Sequence, residues 1–506
     1  MARPGTQKRK TPRKSALAKA ALRKSIAGTG APHAHKPASN ADLAEALASR
    51  PKVDFLDPFM RHAAMQAKGI SLCAFLVTLA AFQRGLKVTF HYERASFDPR
   101  FAKAKMQGHR GELFSISNGT RTHTFSRTLG DLTDPAANAV AEDKHLTKAA
   151  LKRAGVRTPD GIVVDKGQTA QIQTFLAQHP DKRFVVKPHD GSLSKGVHAD
   201  VSPADALCLI NECQGGRWLI EEYVTGHEYR ASVVNGRCIA VSWRERPVVV
   251  GDGHSTVKQL ADAFKQKQSQ NNPHWDGLKD EAALSSFLAR FNFSLDSVLE
   301  KGVQLALSNT AEGAIQNDLT DAISSEVKRQ AAKAAEAIGL VNCGIDLIID
   351  ENGSACVLEL NQRSYIGLHS FPMEGPGQGN AVAEAIVDYY FPETIRDRTQ
   401  ANLAYDFAPI RAVLESGQIN ELSLPVIGPD WKVLRFAETG IAAKAVAKLI
   451  ETAARTAGVF TMSAPRDTGG VELCLAYAPA NFRNLLGVIP AQFRRKLEQL
   501  DAEVQG

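Results

Sequence analysis

Phe184-Val185-Val186-Lys187-Pro188-His189-Asp190-Gly191-Ser192-Leu193-Ser194-Lys195-Gly196 runs an apolar strand into a lysine and then into a loop of small and hydroxyl-bearing residues, after which Val197 resumes apolar character. Glycines let backbone N–H groups approach phosphate oxygens, and a lysine supplies a point charge beside them. A strand that delivers a lysine to such a loop is what nucleotide phosphates require. The plain alternative is a hairpin turn with an incidental lysine. The spacing matches neither G-x-x-x-x-G-K-[ST] nor G-x-G-x-x-G, so neither the P-loop nor the dinucleotide fingerprint applies.

Upstream, Asp143-Lys144-His145-Leu146-Thr147-Lys148-Ala149-Ala150-Leu151-Lys152-Arg153-Ala154-Gly155 reads as an amphipathic helix closed by Gly155, with Pro159 blocking its continuation. Downstream, Trp218-Leu219-Ile220-Glu221-Glu222-Tyr223-Val224 and Glu228-Tyr229-Arg230-Ala231-Ser232-Val233-Val234 are two apolar segments around an acid-rich turn. Arg230 lies inside the second, where a bare charge is costly, so it needs an anionic partner. Further on, Cys343-Gly344-Ile345-Asp346-Leu347-Ile348-Ile349 and Val357-Leu358-Glu359-Leu360-Asn361 read as adjacent strands. Glu359 and Asn361, two apart, share a strand face. Opposed to Asp346 across a hairpin, they make an oxygen cluster suited to Mg2+. A purely structural role explains three such groups among aliphatics poorly.

The order of these motifs resembles the ATP-grasp superfamily, most nearly the ATP-grasp part of cyanophycin synthetase and of bifunctional glutathione synthetases, over about residues 141–394. The family text D-K-x-x-T-K, A-G-V, V-V-K-P, D-G and E-x-x-x-G-x-E-Y-R is readable, followed by Gly251-Asp252-Gly253, Gly344-Ile345-Asp346 and Glu359-Leu360-Asn361. The resemblance implies a ligase that uses ATP and Mg2+ to join a carboxylate to an amine through an acyl-phosphate, on amino acid or small peptide substrates. It implies that Lys144 and Lys187 hold phosphates and that the loop carrying Asp190, Gly191, Ser192, Ser194 and Gly196 closes over them. Glu221, Glu222, Tyr223 and Val224 become the adenine hinge and Glu228 the ribose acceptor. Arg230, with Lys187, becomes the catalytic cation. Asp346, Glu359 and Asn361 become the metal ligands, with Arg363 and His369 toward the acceptor substrate. The other reading is a non-catalytic, ATP-binding regulatory protein on a ligase fold. Two departures qualify the likeness. The Mur-ligase half of cyanophycin synthetase is absent, so cyanophycin synthesis is not expected, and Asn309–Gly313 matches the family's glycine-rich substrate loop only loosely.

The expected architecture is α/β and α+β multidomain. It comprises a disordered basic tail (1–50), an N-terminal small α/β domain (51–142), an ATP-grasp domain (143–394), a linker (395–425) and a C-terminal accessory domain (426–506). In the N-terminal unit, helical pattern runs through Pro58–Phe82 and Asn118-Gly119 turns a hairpin. The last unit resembles a ferredoxin-like (acylphosphatase-like) domain. Where that family places a phosphate-binding arginine, Ala442-Ala443-Lys444-Ala445-Val446-Ala447-Lys448 has neither glycine nor arginine, so it is read as non-catalytic.

Composition bounds the rest. The net charge of +7 comes from ten Lys or Arg before residue 37, with no acid among them; taking that +10 away leaves about −3 for the remainder. The body therefore does not point to nucleic acid. The tail is compatible with a transit peptide, but a solvated tail is the plainer reading. No apolar run approaches the ~20 residues that span a bilayer. Seven cysteines without a C-x-x-C pair suit a reducing, cytoplasmic setting. Association with further copies of the chain, as a homo-oligomer, stays open.

Overall fold

The computed structural model describes residues 55, 57–69, 71–92, 111–165, 167–189, 197–212, 216–273, 277–278, 281–289, 291–308, 313–373, 375, 377–394 and 402–505. The basic tail and the loop 190–196 fall outside them, as does all of Asn309–Gly313 except Gly313.

The helical pattern over 58–82 resolves into α1 (Pro58–Gln66) and α2 (Leu72–Phe82). Gly69, at φ +89°, breaks it and donates its N–H to Pro273 O at 3.1 Å. Every residue of α2 is buried. Strands β1 (Lys87–His91), β2 (Leu113–Ser117), β3 (Thr122–Ser126) and β4 (Leu129–Gly130) lie in order in one antiparallel sheet. The Asn118-Gly119 turn joins β2 to β3, with Asn118 Oδ1 accepting from the Thr120 and Arg121 N–H groups.

Next come α3 (Pro135–Glu142), α4 (Lys144–Arg153), β5 (Gly161–Asp165), α5 (Thr169–Ala177), β6 (Phe184–Pro188), β7 (His198–Val201), α6 (Pro203–Glu212) and β8 (Arg217–Glu222). Their strands form a four-stranded sheet, β5-β8-β6-β7. Period-two alternation sends Val164, Phe184, Val186 and Ile220 to one face, where they pack with Ile172, Phe175, Leu176, Ala206 and Ile210. Lys187 and Glu221 are left on the other face.

A second, five-stranded sheet contains β9 (His227–Val234) and β10 (Arg237–Glu245). The excursion β11 (Val248–Val250), α7 (Val257–Asn271), α8 (Glu281–Ala289) and β12 (Gln304–Ala306) leaves β10 with its own small core and returns as β13 (Ile315–Asp318). Helix α9 (Ser325–Ile338), β14 (Asn342–Ile349) and β15 (Ala355–Asn361) complete the order β13-β10-β9-β14-β15. One face of this sheet, Ala231, Val233, Val241, Ile345, Leu347, Val357 and Leu360, packs on Ala331, Ala334, Ala335 and Ile338 of α9 and on Ala150 and Leu151 of α4. The other face is polar and looks toward the first sheet's lysine.

After α10 (Gly367–Ser370) and α11 (Ala381–Tyr390), the described part of the stretch expected as a linker, residues 402–425, turns out to be structural. Helix α12 (Phe407–Glu415) and β16 (Glu421–Ser423) belong to the N-terminal unit, with β16 pairing β1 antiparallel. Tyr405 and Phe407 supply the reason: both are fully buried, their rings within 5.2–5.7 Å of Phe75, Phe82 and Phe90. Two buried aromatics outweigh the polar character that made the stretch read as a connection.

The last unit holds β17 (Lys432–Glu438), α13 (Ala443–Thr456), β18 (Phe460–Pro465), β19 (Val471–Tyr477), α14 (Pro479–Val488) and α15 (Ala491–Gln505). Its sheet, in the order β17-β19-β18, has three strands among the described residues. A ferredoxin-type layout closes with a fourth strand, and here helices α14 and α15 follow instead. One face covers the unit's own helices; the other packs Met462, Ala464, Cys474 and Ala476 into the core of α1 and α2. Arg435 reinforces that contact, bonding Asp57 and Glu472 and lying 4.6 Å over the Phe59 ring.

Candidate active site

Asp143 caps α4, its carboxylate accepting from the N–H groups of His145 at 2.9 Å and Leu146 at 3.1 Å. Such a cap stabilises a helix by about 1 kcal/mol. It fixes the register that puts Lys144 in the first turn and Lys148 one turn on, on the same side. Lys148 is buried. Its ammonium lies 2.7 Å from Glu221 Oε2 and donates to Pro159 O at 2.8 Å. Lys187, from β6, donates to the other carboxylate oxygen of Glu221. Burial alone would raise the Glu221 carboxyl, but the Lys187 and Lys148 ammoniums outweigh it and hold the group below the usual carboxylate range. Burial pulls the Lys148 ammonium down despite the Glu221 carboxylate. Gly161, opposite Glu221 across β5 and β8, makes the close approach possible: a Cβ there would stand 2.8 Å from Glu221 Cβ.

The facing sheet gathers the other charges. In register, Arg230 pairs Asp346, Asp346 pairs Glu359, and Gly344 pairs Asn361, so all five share the polar face. The Arg230 guanidinium grips Asp346 with two parallel bonds, Nη2 to Oδ2 at 2.9 Å and Nε to Oδ1. Asn361 Nδ2 lies 3.2 Å from Asp346 Oδ2 and 3.3 Å from Glu359 Oε1. On β10, Arg244 donates to Glu228 Oε1 at 2.6 Å and stands 3.7 Å from Asp346 Oδ1. Burial raises the Glu228 carboxyl against the pull of Arg244. The Glu359 carboxyl is raised by burial and by the Asp346 carboxylate it hydrogen-bonds, while Lys144 and Lys187 pull it the other way. Asp346 is buried too, yet Arg230 and Arg244 hold it low, so of the two carboxyls Glu359 is the one that takes up a proton more readily. Lys144 and Lys187 act electrostatically on Glu359, so both lysines lie toward the polar face of the second sheet.

Whether this set suits Mg2+ follows from its chemistry. Two buried carboxyls side by side disfavour each other's charge, and a cation between them relieves this; an all-oxygen set with one or two carboxylates is the kind Mg2+ takes. Asn361 fits after its amide is turned to present Oδ1, an orientation assigned from hydrogen bonding in any case. Among the described residues, no three His, Cys, Asp or Glu side chains form a metal cage by themselves.

Several expectations meet a different arrangement. Arg230, expected to neutralise phosphate, has Asp346 as its anionic partner, so Asp346 is not an unpaired ligand. Glu221 spends its side chain on two lysines. Of the remaining hinge residues, Glu222 binds Lys182 at 2.7 Å and donates its N–H to Asp160 O; Tyr223 N–H goes to Arg183 O at 2.8 Å; Val224 is buried. His369, expected toward the acceptor substrate, is 1% exposed, with Nε2 2.8 Å from Ser232 Oγ and Nδ1 3.3 Å from Ser242 Oγ. Asp190, Gly191, Ser192, Ser194 and Gly196 lie outside the described residues. Sequence reading missed Lys148 and Arg244. Lys148 shares a helical stripe with Leu151, and Arg244 follows Ser242 at strand spacing; both signals were present but local.

Residues 141–246 match the model of the ATP-grasp domain, and residues 306–387 that of the RimK-like ATP-grasp domain. Both matches are to ATP-grasp domains. Both cleft-forming sheets lie largely within these two matches. The glutathione biosynthesis bifunctional protein of Streptococcus thermophilus is 28% identical over 354 residues, covering 65% of this chain and 44% of that protein. The cyanophycin synthetase of Geminocystis herdmanii is 27% identical over 299 residues, covering 56% and 34%. The chain thus spans less than half the length of these relatives. A crystal structure of a bifunctional glutathione synthetase from Pasteurella multocida aligns at a TM-score of 0.43 with 21% identity, covering 56% of this chain and 40% of that one. Among the described residues, no helix of the ATP-grasp domain or its flanking units is long and apolar enough to cross a membrane.

Proposed function

We propose that this chain is an ATP-dependent carboxylate–amine ligase acting on amino acid or small peptide substrates. The observation that carries the reading is the placement of Lys144 and Lys187 toward the buried, register-paired carboxyls Asp346 and Glu359. Phosphate-binding cations there oppose an anionic, oxygen-only cation site. Phosphoryl transfer needs positioning and charge neutralisation more than covalent help from the protein, and no side-chain nucleophile is required.

In this reading Lys144 and Lys187 hold the phosphates. With the N–H groups of Glu222 and Tyr223 engaged, the adenine edge is read at the next amide, Val224. Glu228, already bonded to Arg244, accepts from the ribose. Mg2+ would be held by Asp346, Glu359 and Asn361, where it would supply charge neutralisation at the phosphates. A substrate carboxylate oxygen attacks the γ-phosphorus, the bond to the leaving ADP oxygen breaks, and an acyl-phosphate results. Arg230 and Arg244 face the charge that shifts in this step. An amine then attacks the acyl carbon, inorganic phosphate leaves, and the amine gives up a proton. The loop 190–196 is assigned to closure over the phosphates, which keeps water from the intermediate. The location inferred for this chemistry is the cytoplasm.

The test is an ADP-release screen with Mg2+ over amino acids and short peptides, with mass spectrometry of the products. ADP release that needs both a carboxylate and an amine, with a condensed product, supports the ligase. Nucleotide binding without turnover on any pair would favour the regulatory reading instead.

A further inference from the structure

We propose that Lys148 is a positioning residue: by neutralising the buried Glu221, it keeps the Lys187 ammonium available for a nucleotide phosphate. The inference rests on the reading of the cleft as a nucleotide site and goes beyond it by assigning a role to a lysine on the far side of Glu221.

Three features carry it. Glu221 is 3% exposed and is gripped by two lysines, one on each oxygen. The two grips differ. Lys148 has a second bond, to Pro159 O, and is almost as buried as Glu221 itself. Lys187 is the more open of the two, its side chain 17% exposed. An ammonium has three N–H donors, so Lys187 can serve both Glu221 and a phosphate. Whether its charge is also available depends on Lys148. With Lys148 present, one carboxylate is shared by two cations, and a net positive charge faces the cleft. Without Lys148, the buried carboxylate is left to Lys187 alone, because an unpaired charge at that depth is costly. The net charge of the Lys187–Glu221 pair then falls to zero. The simpler view, that Lys148 only ties α4 to β8, predicts lost stability but gives no reason for phosphate affinity to depend on the charge of Glu221.

The two views part on a double substitution. Calorimetric titration of the full chain with ADP and, separately, with adenosine is carried out on the wild type, Lys148→Met, and Lys148→Met combined with Glu221→Gln, with melting curves alongside. An opposite charge at hydrogen-bond range shifts a neighbouring ionisation by roughly 1–3 pK units. Lys148→Met is therefore expected to weaken ADP by roughly tenfold or more while adenosine changes less than about threefold. Adding Glu221→Gln frees Lys187 and is expected to bring ADP affinity back to within about threefold of wild type. Should Lys148→Met fail to fold, the double variant decides alone, since it buries no unmatched charge: near-wild-type ADP affinity supports the role. Equal losses of ADP and adenosine in Lys148→Met, or a double variant that binds ADP tenfold more weakly than wild type, overturn it. A wild-type chain that binds neither compound would overturn the nucleotide reading itself, an outcome distinct from either of these.

Discussion

Gly344→Ala probes how tightly the Arg230–Asp346 pair is built. Gly344 sits on β14 two residues before Asp346, on the same face. A Cβ placed there would stand 2.4 Å from Ser364 Oγ, 3.2 Å from Ser364 Cβ and 3.1 Å from the Arg230 guanidinium. The first distance forces a movement; the other two demand a few tenths of an ångström. Overpacking of this kind costs roughly 1–3 kcal/mol. The movement has two outlets, Ser364 and Arg230, and they can be separated. Ser364 Oγ is buried and makes no hydrogen bond among the described residues, so Ser364→Ala alone is expected to cost little. In the Gly344→Ala background it removes the shortest contact. Urea unfolding followed by tryptophan fluorescence should show Gly344→Ala losing stability in that range and Ser364→Ala restoring most of it. ADP release, measured with the substrate pair found in the screen, should behave otherwise. The contact with Arg230 persists in the double variant, and misplacing a reacting group by about 1 Å costs on the order of 100-fold. A displacement of a few tenths should leave kcat/KM roughly tenfold down even after stability recovers. Full activity in Gly344→Ala, or activity and stability recovering together, would refute the claim that this glycine exists to let the arginine lie across the sheet.

Lys187→Ala should leave a folded protein whose ADP release is slower by at least about a thousandfold, since it removes charge from the transferring phosphate; circular dichroism beside the rate separates this from unfolding. Burial and the Asp346 carboxylate raise the Glu359 carboxyl in the folded chain, so the fold is favoured while that group is protonated and loses this contribution as pH rises through the folded pKa. Glu359→Gln should therefore melt with the wild type below about pH 4 and above it on the alkaline side, while its ADP release loses its Mg2+ dependence; an unchanged Mg2+ titration would defeat the metal assignment. Arg435→Met breaks the bonds to Asp57 and Glu472 and should cost about 2 kcal/mol, seen as faster proteolysis between the last unit and the rest.

The sequence resolved the local chemistry well where a strand's alternation did the sorting. Asp346, Glu359 and Asn361 stood out because oxygen-bearing side chains recur on one face of aliphatic strands, and the structure brings the three within hydrogen-bond distance of one another. It did worse at the ends of the chain. The segment holding Tyr405 and Phe407 looked like a connection because its neighbours are polar, yet two aromatics suffice to bury it. The ferredoxin-like resemblance of the C-terminal unit implies a fourth strand, whereas the sheet has three strands among the described residues and closes with α14 and α15.

What the sequence determined by itself was which residue types face the cleft: a strand lysine, a helix lysine at Lys144, and acids at strand spacing. These are properties of periods 2 and 3.6, fixed within a few residues. Partner choice was decided only in three dimensions. Arg230 and Asp346 are 116 residues apart, and they meet because β9 and β14 pair in one register. A slip of a single residue would turn every side chain of one strand to the opposite face. Glu221 likewise chose two lysines, one from a helix and one from a neighbouring strand, because burial makes a lone carboxylate costly and the packing of α4 against the sheet put a second cation within reach. No local pattern carries that information: the desolvation that makes the pairing necessary exists only once the sheets have closed on one another.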